Sequence, residues 1–239
     1  VRITGLLVAL LIASACGLAL YSRARERPQD VPWTRLDLTR PIGLFTTRKL
    51  ARLRRDTPLC RALLDEAHVA HVTLPPRNEA GQCGYADGIR LGADRPDAPA
   101  YRPASLGTSC AVAAALVIWE REIVQPAARD IYGTRVASID HFGSYSCRRL
   151  YGRASGGWSE HATANAVDIA GFRLADGRRI TVARDWQGDA RDARFLHAVR
   201  DGACRLFATT LSPDYNAAHR DHFHLDQADR GMGGWRACR

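Results

Sequence analysis

Six cysteines spread along the chain, Cys60, Cys83, Cys110, Cys147, Cys204 and Cys238, constrain the fold more than any other feature. Their number is even, and no two form a CxxC pair of the zinc-finger or redox kind. Three disulfides in an oxidising compartment are the expectation, which obliges segments far apart in sequence to meet. Fifteen pairings are open to six cysteines, and their spacing selects none. The competing arrangement is six buried free thiols in a cytosolic protein, since an unpaired cysteine often serves as a small core residue.

The N-terminus bears on the same question. From Ile3 to Tyr21 run nineteen uncharged residues, with Arg23, Arg25 and Arg27 after them. That length just spans a bilayer. Residues 1–22 therefore read as a membrane anchor, or as a signal peptide with Arg2 as its n-region and Ala13-Ser14-Ala15 as its cleavage site. Cys16, directly after that tripeptide, adds a lipid-modified cysteine as a third reading. All three export the rest of the chain, so the expected location is periplasmic or otherwise extracytoplasmic, anchored in the inner membrane. The arginines after the span favour the opposite orientation under the positive-inside tendency. The cysteines thus carry the compartment argument.

Composition excludes some classes. With 46% hydrophobic and 25% charged residues the chain is neither disordered nor fibrous. The formal charge of +9 is almost all arginine, Lys49 being the single lysine. A basic surface suits nucleic acid, an anionic membrane or an anionic polymer such as cell wall. The arginines are scattered without a stripe of interleaved aromatics, so no nucleic-acid partner is expected. There is no HExxH, no G-x-S-x-G, no P-loop and no dinucleotide-binding glycine pattern.

Residues 23–53 bear arginine and proline without a sustained period until Thr46, and read as a tether to a domain over 54–239. Helical spacing runs from Thr46 to His71, and residues 93–100 read as an exposed loop. Ser109 before an alanine-rich apolar run predicts a buried helix over 110–124, which Pro126 should end or kink. Val136–Phe142, Ala166–Phe172 and His222–Asp226 read as strands, and Arg178–Val182 as another after the turn at Asp176-Gly177. Asp189–Thr209 reads as a helix with one apolar face. Strands with segregated helices predict an α+β fold with a central, mostly antiparallel sheet.

Among the histidines, His68, His71 and His197 lack a partner in sequence and read as core or surface residues. His161 precedes Asp168 by seven positions, and His219, Asp221, His222 and His224 cluster downstream. A hydrolytic zinc site takes about three imidazole or carboxylate ligands and leaves one position open. Asp168 lies between Val167 and Ile169, so in a strand it points away from these apolar neighbours. A carboxylate so placed needs a counter-charge, and a metal ion is one. The same period puts His222 and His224 on one face. Cys147 with His161 is a conceivable nucleophile pair, but the even cysteine count favours Cys147 as half of a disulfide.

The spacing of His161 and Asp168, with the distal Asp221-His222-Phe223-His224, resembles the signatures of the LAS metallopeptidases, which include D-alanyl-D-alanine peptidases and murein endopeptidases of the hedgehog-like fold. The segments around Cys110, Gly143–Arg148, Ser159–Asp168, Asp185-Trp186 and Pro213–His219 resemble the bacterial extensin-like C-terminal family, over roughly residues 54–239. The resemblance implies that His161, Asp168 and His224 bind Zn²⁺. It implies Asp221 or His222 as the base, and strand alternation favours His222. It also implies Arg148 as the stabiliser of the oxyanion and His219 as a substrate-binding or ligand-supporting residue. The expected function is that of an exported zinc peptidase, endopeptidase or carboxypeptidase, acting on peptidoglycan near D-amino acids. The alternative is a non-catalytic wall-binding protein with a structural or vestigial metal site, for which His222 as a fourth ligand would speak.

Overall fold

The computed structural model describes residues 2–92, 98–231 and 235–239. Helix α1 (Arg2–Glu26) is apolar enough to cross a membrane, and from Ile3 to Glu26 none of its residues is buried against the rest of the protein. Helices α2 (Thr46–Arg52), α3 (Thr57–Glu66), α4 (Cys110–Trp119), α5 (Gln125–Tyr132), α6 (Val182–Asp185) and α7 (Ala190–Ala203) belong to the body. The largest sheet contains β5 (Ala100–Arg102), β7 (Val136–Gly143), β8 (Ala166–Leu174), β9 (Arg179–Thr181), β10 (Thr209–Leu211), β11 (Phe223–Asp226) and β12 (Ala237–Cys238). Its order is β12-β10-β11-β8-β7-β5, with β9 also on β8. Only the pairs β10–β12 and β5–β7 are parallel among those described. A smaller sheet joins β1 (His71–Thr73), β4 (Gly88–Leu91) and β6 (Gly107–Ser109), and a hairpin joins β2 (Arg77–Asn78) to β3 (Gly84–Tyr85). The chain is α+β, and its largest sheet is mostly antiparallel.

Helix α4 explains how the sheet is held. Ser109 caps it by accepting from the Val112 N–H at 3.3 Å, and all its residues are buried. A helix apolar on every side belongs in the centre of a core. It packs against α2, α3 and β4, while Val167, Ile169, Phe172, Phe223 and Leu225 of the sheet join the same core. Those strand residues alternate with Asp168 and His224, which the pleat turns to the other face. One face of the sheet thus builds the core and the other is free to carry chemistry.

Three cross-links tie the body: Cys60–Cys110 joins α3 to the start of α4, Cys83–Cys147 joins the hairpin to the loop after β7, and Cys204–Cys238 joins the end of α7 to β12. They close 50, 64 and 34 residues of sequence. By loop-closure entropy each stabilises the fold by about 4 kcal/mol. With the apolar N-terminal helix they fit an exported or membrane-associated protein.

Several expectations are corrected. The stretch 23–53 is not a free tether, because Leu36, Leu38, Leu50 and Leu53 are core residues. Buried Lys49 donates to the Pro28 carbonyl at 2.6 Å and to Thr34 Oγ1 at 2.8 Å, and Arg121 grips the Leu38 and Arg40 carbonyls. Leu36 and Leu38 lie in irregular backbone, where burial leaves no period to read, while Leu50 belongs to α2 and Leu53 to the helical turn that follows it. The helix expected over 46–71 is broken after Arg52, and Asp56 caps a new one by accepting from Leu59 N–H, with Pro58 in its first turn. Pro126 does not end its helix. A π-helical turn at Glu120–Val124 precedes it, and α5 continues to Tyr132. A widened turn accommodates the N–H that proline lacks. The helix expected to reach Thr209 stops at Ala203, since Thr209 is paired in β10, and the strand expected over 178–182 yields Val182 to α6. The exposed loop expected over 93–100 lies mostly outside the described residues.

Candidate metal centre

Asp168 and His224 face each other directly across β8 and β11. Their shared face is a consequence of register, so the pair is fixed by the same hydrogen bonds that hold the sheet. His161 reaches them from a short turn, Glu160–Thr163, whose N-terminus Ser159 caps by accepting from the His161 N–H at 3.3 Å. Ala164, at φ +53, turns the chain back into β8. On the other side β7 is bulged around His141, and Gly143, at φ +120, lies opposite Asp168. Bulges bend a strand and re-aim its neighbours, and they recur beside functional sites.

The three side chains converge on one point. His161 Nε2 lies 3.1 Å from Asp168 Oδ1, His161 Nε2 lies 3.1 Å from His224 Nδ1, and His224 Nδ1 lies 3.1 Å from Asp168 Oδ1. The opposite edges of both imidazoles are committed. His161 Nδ1 donates to the Ser144 carbonyl at 2.6 Å, and His224 Nε2 donates to Asp226 Oδ2 at 3.1 Å. In the neutral tautomers these bonds select, three lone pairs meet with no proton between them. A cation or an added proton has to sit there. Tetrahedral zinc bound at about 2.0 Å spaces its ligands by about 3.3 Å, so the triangle matches one face of that polyhedron. The donor set fits zinc: two imidazoles, one carboxylate, and a partner behind each imidazole to fix its tautomer. Among the described residues it is the one such group, and His222 is not part of it.

Without an ion the cluster satisfies itself by protonation. Burial alone would raise the Asp168 carboxyl, but hydrogen bonds and charge from His161 and His224 outweigh it and hold Asp168 far below the carboxylate range. Burial likewise works against the His224 cation, yet Asp168 and Asp226 overcome it and push His224 up to about 9.

The remaining expected residues ring this triangle. His222 Nδ1 donates to Asp221 Oδ1 at 2.8 Å, and its Nε2 lies 3.6 Å from Asp168 Oδ1. Phe142 packs edge-on against its ring. His219 stands beside His222 and His224, with ring centres 5.3 and 6.0 Å away, and its Nδ1 donates to Asn216 Oδ1 at 2.7 Å. Burial first, then repulsion from His222 and His224, lowers His219 to about 4. Arg148 is exposed, and its charge reaches His219. The structure therefore brings His161, Asp168 and His224 into contact, sets the Asp221–His222 pair and His219 beside them, and leaves Arg148 at the rim. Cys147 is bonded to Cys83 and is no nucleophile.

Ser144, Asp226 and Asn216 were not identified from sequence as supporting residues. Asp226 was within reach, since it follows His224 by two positions in a strand. The Ser144 contribution is a backbone carbonyl, to which side-chain identity gives no clue.

Neither the curated proteins nor the solved structures contain a match to this chain. Residues 58–239, however, match the family model described as Extensin-like protein C-terminus, close to the expected span from residue 54. All three residues of the cluster lie within that matched region, and the chain belongs to the extensin-like C-terminal family.

Proposed function

We propose that this protein is an exported zinc peptidase of LAS type that hydrolyses amide bonds in peptidoglycan, held at the inner membrane by its N-terminal helix. The observation that carries the reading is the triangle of His161 Nε2, Asp168 Oδ1 and His224 Nδ1, each 3.1 Å from the others, with every proton-bearing edge turned outward. A zinc ion bound there supplies a Lewis acid for the scissile carbonyl and lowers the pKa of water.

The chain's own residues do the rest. His222, with Nδ1 held by Asp221, offers Nε2 to take a proton from the attacking water and return it to the leaving amine. Asp221 orients that ring, the role of a carboxylate behind a catalytic imidazole. Asp221 itself lies one imidazole further from the cluster, which ranks His222 ahead of it as the base. Arg148 offers positive charge to the oxyanion. His219 is neutral near pH 7, and with Nδ1 donating to Asn216 its Nε2 accepts from a substrate N–H. Since His222 stands outside the ligand triangle, a position is left for substrate or water, which favours an enzyme over a closed structural site.

Mass spectrometry of purified muropeptides incubated with the full chain in detergent micelles tests the reading. Zinc-loaded protein should release D-alanine or convert cross-linked dimers to monomers, and chelation should stop it. Unchanged muropeptides in the zinc-loaded sample would transfer the assignment to a wall-binding protein.

A further inference from the structure

The sheet face that carries Asp168 and His224 continues beyond them. The ladder sets Leu211 of β10 opposite His224, and two residues along it sets Asp226, Thr209 and Ala237 in one row. Residues two apart share a face, so these side chains form a strip leading from the cluster to the edge of the sheet. Over the strip lies an open groove of about 750 Å³, which starts at His224 and Asp226 and ends at Cys238 and Arg239.

Two properties of the groove point to its occupant. Its walls carry Tyr151, Tyr215 and Trp235, which are 54%, 42% and 60% exposed. Its charge comes from Arg230, Arg236 and Arg239, while the carboxylate of Asp226 is already engaged by His224 Nε2 and the Ala228 N–H. The walls are built, not incidental. Tyr151 holds φ +56, a region bulky residues seldom adopt. Its hydroxyl accepts from Asn216 Nδ2 at 3.5 Å, and Asn216 Oδ1 in turn accepts from His219, so the wall is continuous with the candidate centre. Arg230 donates to Thr209 Oγ1 and lies 4.2 Å from the centre of the Trp235 ring, while its Nε is buried without a partner among the described residues. A guanidinium fixed by Thr209 and Trp235 brings a positive charge to the groove at a set position.

Resting on the peptidase reading, we propose that this groove is a subsite for an acidic peptide, the carboxylate-bearing stem of the substrate. The stem lies along β10 and β12, with its carboxylates on Arg230, Arg236 and Arg239 and its aliphatic and amide surfaces against the three aromatic rings. A neutral peptide would gain nothing from the charge of the three arginines. The groove therefore selects for free carboxylates on one side of the bond to be cut.

Binding is measured by fluorescence anisotropy on the full chain in detergent micelles, zinc-loaded and metal-free. The probes are a labelled muropeptide monomer with free carboxyls and the same molecule with its carboxyls amidated. Amidation should weaken binding to the wild type about tenfold or more, the scale of one lost charge-assisted hydrogen bond. A variant carrying Arg236→Ala and Arg239→Ala, both exposed in the native protein, should bind the free acid about tenfold more weakly and distinguish the two probes less than the wild type, Arg230 being retained. Its zinc content and melting temperature should match the wild type. If the wild type binds both probes equally, or the variant binds as tightly as the wild type, the subsite is refuted. A peptide-free glycan strand that binds as tightly as the muropeptide refutes it too. Carboxylate-dependent binding without hydrolysis by the zinc-loaded protein supports the subsite and sinks the peptidase reading instead.

Discussion

Two carboxylates in this protein are buried to the same degree, Asp168 and Asp192, each 9% exposed. Their partners differ in kind. Asp192, in α7, accepts from the Tyr132 hydroxyl at 2.7 Å and from Arg178 Nη1 at 3.0 Å. Burial and the Asp192 charge push the Tyr132 hydroxyl well above its ordinary pKa, so it stays a donor, and the guanidinium never loses its proton. That site is complete as it stands. Asp168 faces two imidazoles whose donor edges are turned to Ser144 and Asp226, so its compensation has to be imported as a proton or a metal ion. Burial of a charge alone therefore does not mark a functional site. What marks it is a set of partners that cannot complete the account among themselves.

Substituting each carboxylate tests this contrast, and the largest effect is expected at Asp168. In Asp168→Ala the zinc stoichiometry, read by elemental analysis, should fall from one towards zero, and hydrolysis should vanish with it. Asp192→Asn should keep its zinc and lose about 1–2 kcal/mol of stability, a modest cost because Arg178 is half exposed and solvent screens it. Stoichiometric zinc in Asp168→Ala, or zinc lost from Asp192→Asn, would break the distinction.

The next effect separates holding a metal from moving a proton. His222 lies near Asp168 Oδ1 but outside the triangle, so His222→Ala should retain zinc while turnover falls about 10²–10⁴-fold, the usual contribution of a general base. Asp221→Asn preserves an acceptor for His222 Nδ1 and should lose less than His222→Ala. A larger loss in Asp221→Asn would make Asp221 the base. Loss of zinc in His222→Ala would make His222 a ligand and favour the structural reading of the site.

Much of this arrangement was legible because strand periodicity is rigid. Asp168 between Val167 and Ile169, and His224 between Phe223 and Leu225, already specify that each polar side chain opposes its neighbours, and pairing of β8 with β11 then puts the two together. The even cysteine count anticipated bonded cysteines, whereas their partners required the fold. The path of residues 23–53 was illegible for a physical reason. Leu36 and Leu38 are buried by contacts with distant elements, and irregular chain carries no period that would announce it. Pro126 misled because its cost is local while the π-helical turn that relieves it lies in the preceding residues. Arg148 shows the limit from the other side. Its charge reaches His219, yet the role assigned to it rests on the resemblance and not on a contact.

The smallest expected effect reads the contrast through pH, in the metal-free protein. His224 is raised from the ordinary imidazole value of 6.5 to about 9 in the folded state, so folding favours its protonated form. Its contribution is fully present below pH 6.5 and is lost as pH rises through 9. The depressed Asp168 contributes above its ordinary value of 3.8 and loses that contribution on acidification below it. The metal-free melting temperature should therefore be highest between about pH 4 and 6.5 and fall by several degrees towards pH 9. Zinc replaces the proton, so its stabilisation should grow over the same interval. Asp192→Asn should keep this slope, because the Asp192 site is held by an arginine that does not titrate there, whereas Asp168→Asn should flatten it. An unchanged slope in Asp168→Asn, measured by calorimetry after chelation, would show that the two carboxylates are compensated alike after all.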